Sequence, residues 1–230
     1  MGAIRSILVA SLVIFLGGCV TPPQQFVQLD LKMLDAKSGK VGVAMAALPP
    51  VDTYFPGASC LLCLAAASAA NSTLTTYAQT LPRDDLSKIK NTVADLMRKK
   101  GMIITVIEED INMESLSDVS NPGKNVARKD FSPLRKKYDI DKLVVIDIKA
   151  LGFIRTYSAY FPTSEPKGYL NGAGYIVNLS DNTYDWYLPV SVSRSPGAIW
   201  DEPPKFPALT NAYFQVLEMS KDAFLVDLNR

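Results

Sequence analysis

The sequence predicts an α/β (α+β) fold in which helices pack on a single mixed sheet, in the order β-α-α-β-α-β-β-β-α. In the first two thirds of the chain, short apolar segments alternate with segments of helical period, which is typical of parallel strands joined by crossover helices. In the last third, two alternating segments flank residues 180–183 (SDNT), whose composition favours a hairpin turn. Parallel and antiparallel pairs together predict a mixed sheet.

The first strand is predicted at residues 40–48 (KVGVAMAAL), which are apolar and are followed directly by two prolines. Residues 60–77 are rich in Ala and Leu and predict the first helix. Residues 102–107 (MIITVI) predict the second strand. A helix placed between two such strands is what a parallel crossover requires.

That crossover helix is predicted at residues 84–100, with Asp84 as its N-cap and Gly101 in the left-handed position that ends it. Its apolar residues fall on one face and are Leu86, Ile89, Val93, Leu96 and Met97.

After the second strand the sequence predicts a loop at 108–129 with a helical turn at 113–116, and then a helix at 131–138. A third strand begins with residues 142–148 and continues toward Tyr157. Hairpin strands are predicted at 168–179 and 184–193, and a final helix at 209–228. The core-facing stripe of that last helix consists of Leu209, Tyr213, Val216, Leu217, Phe224 and Leu228.

The N-terminus has the pattern of a secretory signal, in which Arg5 precedes the apolar residues 7–16. A membrane-spanning helix needs about 20 apolar residues, so this run is too short to cross a bilayer. The residues Leu16-Gly17-Gly18-Cys19 resemble the lipobox of bacterial lipoproteins. That resemblance implies cleavage before Cys19 and acylation of this residue; an ordinary secretory signal is the alternative.

The lipobox resemblance implies three parts, namely a signal peptide at 1–18, a lipidated tether at 19–39 and a single α/β domain at 40–230. Two or three acyl chains hold a protein on a membrane effectively permanently. Val20 stands where the enteric sorting rule places Asp in lipoproteins that stay in the inner membrane. We therefore expect an outer-membrane lipoprotein that faces the periplasm.

Charge and composition exclude several classes of function. The chain has 24 Lys and Arg against 23 Asp and Glu, and it contains no His. The balanced charge gives no electrostatic field for nucleic acid. Without imidazole, Ser-His-Asp and Cys-His catalysis and His-ligated zinc or haem are excluded within the chain. Carboxylate, lysine and thiolate chemistry stay open, but the sequence predicts no catalytic residue, no metal site and no cofactor.

Residues 138–146 (YDIDKLVVI) and 174–182 (GYIVNLSDN) combine a helix that ends in an acidic turn, a strand and a hairpin. This order resembles the periplasmic α/β domain shared by the TolB N-terminal domain and the CsgG, PelC and LpoB lipoproteins, over roughly residues 41–228. The resemblance implies a non-enzymatic envelope assembly or accessory factor, in some relatives a ring. Residues 200–204 (WDEPP) and 209–213 (LTNAY) also resemble a lipoprotein family to which no activity is attached.

Cys60 and Cys63 are the sharpest candidates for chemistry. They open a predicted helix, whose N-terminal dipole would stabilise a thiolate, and this suits a thiol-disulfide enzyme. The apolar surroundings favour instead a local disulfide in an oxidising compartment, or buried free thiols. Two thiols with no further Cys or His nearby make a poor metal site.

Residues 58–70, which include both of these cysteines, carry no charge. At about 1.5 Å per residue they are too short to cross a bilayer. They predict a buried core helix; a helix that dips into a membrane or faces another copy of the chain is the alternative.

Two loops rich in proline and aromatic residues, 153–167 and 194–207, form the preferred partner surface. Prolines reduce the entropy lost on binding, and Trp, Tyr and Arg are favoured interface anchors. The alternative is that these loops pack on each other and cover the sheet. The candidate partner-binding residues are Arg155, Tyr157, Tyr160, Trp200, Asp201 and Glu202. The last two are adjacent, so on a strand they would point apart and make a weak acid–base pair.

The sequence therefore predicts a non-enzymatic lipoprotein of the bacterial outer membrane. We expect it to be held by its N-terminal lipid, to bind an envelope protein or a second copy of itself, and not to bind nucleic acid. The alternative is a periplasmic thiol-disulfide protein that uses Cys60 and Cys63.

Overall fold

The computed structural model describes residues 23–30 and 39–229. The strands are β1 (Lys40–Met45), β2 (Asp52–Tyr54), β3 (Ile103–Val106), β4 (Lys142–Ile154), β5 (Tyr157–Ser158), β6 (Phe161–Pro162), β7 (Lys167–Asn178) and β8 (Thr183–Arg194). The helices are α1 (Leu61–Ala70), α2 (Ser72–Ala78), α3 (Lys88–Lys99), α4 (Ser132–Tyr138) and α5 (Pro207–Leu225), with 3-10 turns at Asp84–Ser87 and Met113–Ser115.

The strands form one mixed sheet in the order β3-β1-β4-β7-β8, with β2 also paired to β4, while β5 and β6 form a separate small hairpin. Strand β1 is parallel to both of its neighbours, so that Val43 lies opposite Val106 on β3 and Val144 on β4. Strand β7 is antiparallel to both of its neighbours, β4 and β8. The predicted α/β fold with one mixed sheet is confirmed.

Strand β4 is the centre of the sheet because it pairs with three other strands. Lys142–Ile146 pair with β1 and Gly152–Ile154 pair with β2, while the other edge pairs with β7. At Gly152 the backbone has a φ of 138°, and a Cβ atom there would lie 2.0 Å from the carbonyl oxygen of Asp52. Glycine therefore allows β2 to approach β4 at this position.

Helices α3 and α5 contribute to the larger core, on one face of the sheet. Every residue of the two predicted apolar stripes is buried or partly buried, although Leu86 lies in the 3-10 turn before α3 and Leu228 lies beyond the end of α5. Phe153 of β4 meets Tyr213 of α5 edge-on, with ring centroids 6.0 Å apart. Burial of each large apolar side chain contributes about 1.5–3 kcal/mol, so this layer is a major source of stability.

A second core lies on the opposite face and includes residues of α4 and of the loop before it. A group of three tyrosines belongs to this side of the sheet, of which Tyr175 is buried and Tyr184 and Tyr187 are partly buried. Tyr175 stacks on Tyr187 with centroids 5.8 Å apart, and Tyr184 meets both rings edge-on. The hydroxyl of Tyr175 donates to Oδ2 of the buried Asp147 at 3.4 Å. Burial raises the pKa of Tyr175 well above its ordinary value, and the nearby Asp147 carboxylate acts in the same direction.

Residues 23–30 lie against the edge of β8. Val27 and Tyr187 exchange two backbone hydrogen bonds of 2.9 and 3.0 Å, and Leu29 is buried in the larger core. Pro23 lines a cleft together with Tyr184, near the turn between β7 and β8. Part of the segment predicted as a tether therefore contacts the domain.

The helix predicted at residues 60–77 is divided at Asn71, which has a φ of −114° and a ψ of 15°. The side-chain amide of Asn71 donates to the carbonyl of Ala67 at 2.7 Å. A side chain that bonds to the backbone in this way competes with the regular helical ladder. The helical run therefore ends at Ala70 and begins again at Ser72.

The start of the next helix also differs from the prediction. Asp84 begins a 3-10 turn and does not cap α3, which begins at Lys88 without a side-chain cap. The hydroxyl of Ser87 donates back to the carbonyl of Asp84 at 2.6 Å, which favours the tighter turn. The predicted left-handed residue at the other end is confirmed, since Gly101 has a φ of 87°.

We expect Gly152→Ala to lower the free energy of unfolding by about 2–4 kcal/mol, because the added methyl group overlaps the Asp52 carbonyl and Ala disfavours this backbone conformation. Gly197→Ala is the matched control, because no described atom beyond the adjacent residues lies within 4 Å of a Cβ built there. Urea unfolding followed by tryptophan fluorescence measures both variants. Equal stability of the two would contradict the role given to Gly152.

The buried tyrosines predict a loss of stability at alkaline pH. An unfolded tyrosine has a pKa of about 10, and burial raises the pKa of Tyr175, Tyr184 and Tyr187 in the fold. Their contribution to the free energy of unfolding is complete below about pH 10. It is lost as the pH rises toward the pKa values that the tyrosines have in the fold. In Tyr175→Phe we expect the free energy of unfolding to fall less steeply with alkaline pH, by up to about 1.4 kcal/mol per pH unit. Urea unfolding at several alkaline pH values measures it, and an unchanged slope would contradict the assignment.

Candidate functional site

Three segments meet beyond the end of β4 and the start of β7. They are helix α1, the β5–β6 hairpin and the loop at residues 195–206. Apart from Cys19, every candidate site residue predicted from the sequence lies in or next to these segments. Cys60 and Arg155 are the two that lie next to them. The two proline- and aromatic-rich loops thus lie together at one end of the sheet.

Arg155 connects these segments. Its guanidinium lies over the Trp200 ring, 5.1 Å from the centroid, which is a cation–π contact. It also donates to Oδ1 of Asn71 at 3.0 Å and to the carbonyl of Ser164 at 3.1 Å. Trp200 in turn stacks on Phe206 with a centroid distance of 6.2 Å. The loops therefore contact each other, as the alternative interpretation of them expected.

Asn71 fixes helix α1 against the β5–β6 hairpin. Its side-chain nitrogen donates to the hydroxyl of Tyr157 at 2.7 Å, and its side-chain oxygen Oδ1 accepts from Arg155. Both Asn71 and Tyr157 are buried. A buried amide must have its hydrogen bonds satisfied, so these contacts set the position of α1. Asn71 is not among the residues predicted from the sequence, although an amide within an uncharged helical segment is a usable signal.

Cys60 and Cys63 form a disulfide in the structure, with Cα atoms 4.9 Å apart. Cys60 occupies the N-cap of α1, where its sulfur accepts the backbone N–H of Cys63 at 2.9 Å. Cys60 is exposed and Cys63 is buried against Tyr157 and Ala67. The hydroxyl of Tyr160 lies 3.7 Å from the Cys60 sulfur, which brings the tip of the hairpin to the start of the helix.

Four large apolar or aromatic side chains are exposed around this contact. Their exposed fractions are 89% for Leu61, 73% for Leu62, 50% for Tyr160 and 73% for Phe161. We call these four residues the end patch. Residues 53–82, which include α1 and α2, contain no charged side chain.

The prediction of a buried core helix at residues 58–70 is wrong. Within α1 only Cys63 and Ala67 are buried. Apart from Ser68 the residues of this helix are apolar, so its sequence shows no periodicity that could indicate which face packs. It packs on the domain through the small side chains of Cys63 and Ala67, and its leucines are exposed.

Asp201 and Glu202 are exposed and lie in the loop beside Trp200. They take no part in the hydrogen bonds that join Arg155, Asn71 and Tyr157. Nothing in their surroundings suits them to act as an acid–base pair.

Cys19, the predicted lipidation site, lies outside the described residues. Within residues 23–30 and 39–229, no group of three His, Cys, Asp or Glu side chains is arranged to hold a metal ion. In that same part of the chain, none of the helices has the length and apolar character needed to cross a membrane.

Neither a protein-family model nor a curated protein matches the sequence. Among solved structures, a DUF330-family protein from Xanthomonas campestris is similar with a TM-score of 0.40 and 12% identity, over 90% of both chains. A PelC dodecamer from Paraburkholderia phytofirmans has a TM-score of 0.33 and 7% identity, over 89% of this chain and 95% of that one. A neuraminyllactose-binding hemagglutinin homologue from Helicobacter pylori has a TM-score of 0.31 and 9% identity, over 90% and 86%. All three proteins come from bacteria, and the likeness lies in the arrangement of sheet and helices.

Proposed function

We propose that this protein is a non-enzymatic, lipid-anchored protein of the bacterial envelope that binds a protein partner or a second copy of itself through the end patch. The observation that carries the proposal is the end patch, in which Leu61, Leu62 and Phe161 are each more than 70% exposed. Exposed apolar clusters of this kind mark interaction sites on soluble domains.

The surroundings of the end patch support this role because they hold it in one arrangement. The disulfide closes the first turn of α1, and Asn71 and Arg155 tie the helix to the two loops. A surface that is already ordered loses little entropy on binding. Tyr160 and Phe161 add aromatic side chains, which are favoured in the centres of interfaces.

The proposed location follows from the N-terminal sequence. In this proposal residues 1–18 are a cleaved signal, Cys19 carries the lipid, and residues 40–230 are the domain. Residues 19–39 are the tether, of which residues 23–30 lie against the domain. Two acyl chains on Cys19 would hold the protein on the outer membrane, facing the periplasm. The partner is then another envelope protein or a second copy of the chain.

Site-specific photocrosslinking in the native envelope tests the proposed surface. We expect a photoreactive amino acid at Leu62 or at Phe161 to give a discrete crosslinked product, whose mass distinguishes a second copy from another protein. Ile103 is the matched control, since it is 60% exposed and lies at the start of β3, near the opposite end of the sheet. We expect no product there. Equal yields at all three positions, or no product at any, would contradict the proposal.

A thiol-disulfide enzyme is the second candidate, because Cys60 is exposed at the N-terminus of α1 and its sulfur accepts the Cys63 N–H. That position would stabilise a thiolate. In the leading proposal the bond is structural, so we expect no insulin reductase activity. We also expect the double variant Cys60→Ser, Cys63→Ser to lose about 1–2 kcal/mol of stability, since the closed loop is very short. Reductase activity that disappears in Cys60→Ser would favour the enzyme instead.

A further inference from the structure

A groove of about 760 Å³ lies between the sheet and the side of helices α1 and α2. It is bounded by β2, by the second half of β4 and by the start of β7. Its volume falls within the range of about 300–1,000 Å³ that is typical of small-molecule sites.

One side of the groove is aromatic and apolar. The rings of Tyr54 and Tyr169 are 5.9 Å apart at an angle of 66°, and Ala150 and Ile154 of β4 lie beside them. The hydroxyl of Tyr54 accepts the backbone N–H of Leu151 at 3.2 Å, which fixes the ring. This side therefore presents an ordered aromatic and apolar surface.

The facing side is lined by Leu64 and by a row of neutral polar side chains. Ser68, Ser72, Thr76 and Gln79 line the groove at spacings of four, four and three residues, which follow one face of α1 and α2. All four are exposed. Within the described part of the chain, none of their side chains is hydrogen-bonded to another protein group. Each of these side chains both donates and accepts, and each is free to bind a ligand.

Charge limits what the groove can hold. Asp52 is the single charged residue that lines it among the described residues, and its Oδ1 accepts the Thr53 N–H at 2.8 Å. No lysine or arginine lines it in that part of the chain, so a phosphate or carboxylate group would have no counter-charge. An acyl chain would leave the polar side unpaired.

We propose that this groove binds a neutral saccharide. A sugar ring has apolar C–H faces, which pack on aromatic rings, and hydroxyl groups that both donate and accept hydrogen bonds. The Tyr54–Tyr169 side matches the faces, and the row from Ser68 to Gln79 matches the hydroxyls. This site goes beyond the proposed partner surface, because none of the end-patch residues lines the groove.

Saturation-transfer difference NMR on the full chain, in a detergent without a sugar headgroup, tests the proposal. The probes are chitotetraose, whose units occur in peptidoglycan, and maltotetraose, which represents other neutral glycans. We expect transfer to the ring C–H protons of at least one probe at about 5 mM, a concentration that detects millimolar affinity. The preferred probe identifies the source of the saccharide. No transfer to either probe would overturn the proposal.

Surface variants test the position of the site. We expect the double variant Thr76→Val, Gln79→Leu to weaken binding of the preferred probe about tenfold, because two hydrogen bonds are lost. Thr73→Val is the matched control, since Thr73 is exposed on the same helix but does not line the groove. Equal binding by the double variant and the control would overturn the assignment. Crosslinking at the end patch is a separate readout, so failure of either proposal is distinguishable from failure of the other.

Discussion

The pairing of β4 along both of its edges is the constraint on which the rest of the structure depends. The strand is 13 residues long, and one of its edges pairs with β1 and then with β2. Its first half belongs to the parallel part of the sheet, which requires cover on both faces. Its second half carries the groove and leads directly into Arg155. The same backbone therefore supports both the hydrophobic cores and the candidate sites.

Helix α1 is held in place mainly by polar contacts, although its sequence is apolar. Its hydrophobic contact with the domain is a small cluster of Ala58, Cys63, Ala67 and Tyr157. The hydrogen bonds of Asn71 supply directional contacts that such small side chains lack. A satisfied buried polar network favours one arrangement over its alternatives. The leucines of α1 are consequently left for contacts outside the domain.

Local patterns were enough to predict the elements whose residues pack on a large core. The stripes of α3 and α5 and the long β7–β8 hairpin have clear periods, and these were predicted correctly. Strand β2 was missed because its three residues form a strand only by pairing with β4, about 100 positions later. The exposure of α1 could not be predicted because its residues, with the exception of Ser68, are apolar and show no periodicity. The groove joins three distant segments, which no local pattern could bring together.

The contact of Val27 with Tyr187 has a consequence for how the domain would stand on a membrane. Tyr187 lies level with Tyr175 and Val145, and Ile154 is nine positions after Val145 on β4. At about 3.3 Å per residue this is roughly 30 Å, so the contact of Val27 and the end patch belong to opposite ends of the sheet. A domain tethered at one end would present its leucines away from its own bilayer. The end patch would then meet its partner on the periplasmic side, at a distance from the bilayer that depends on the length of β4.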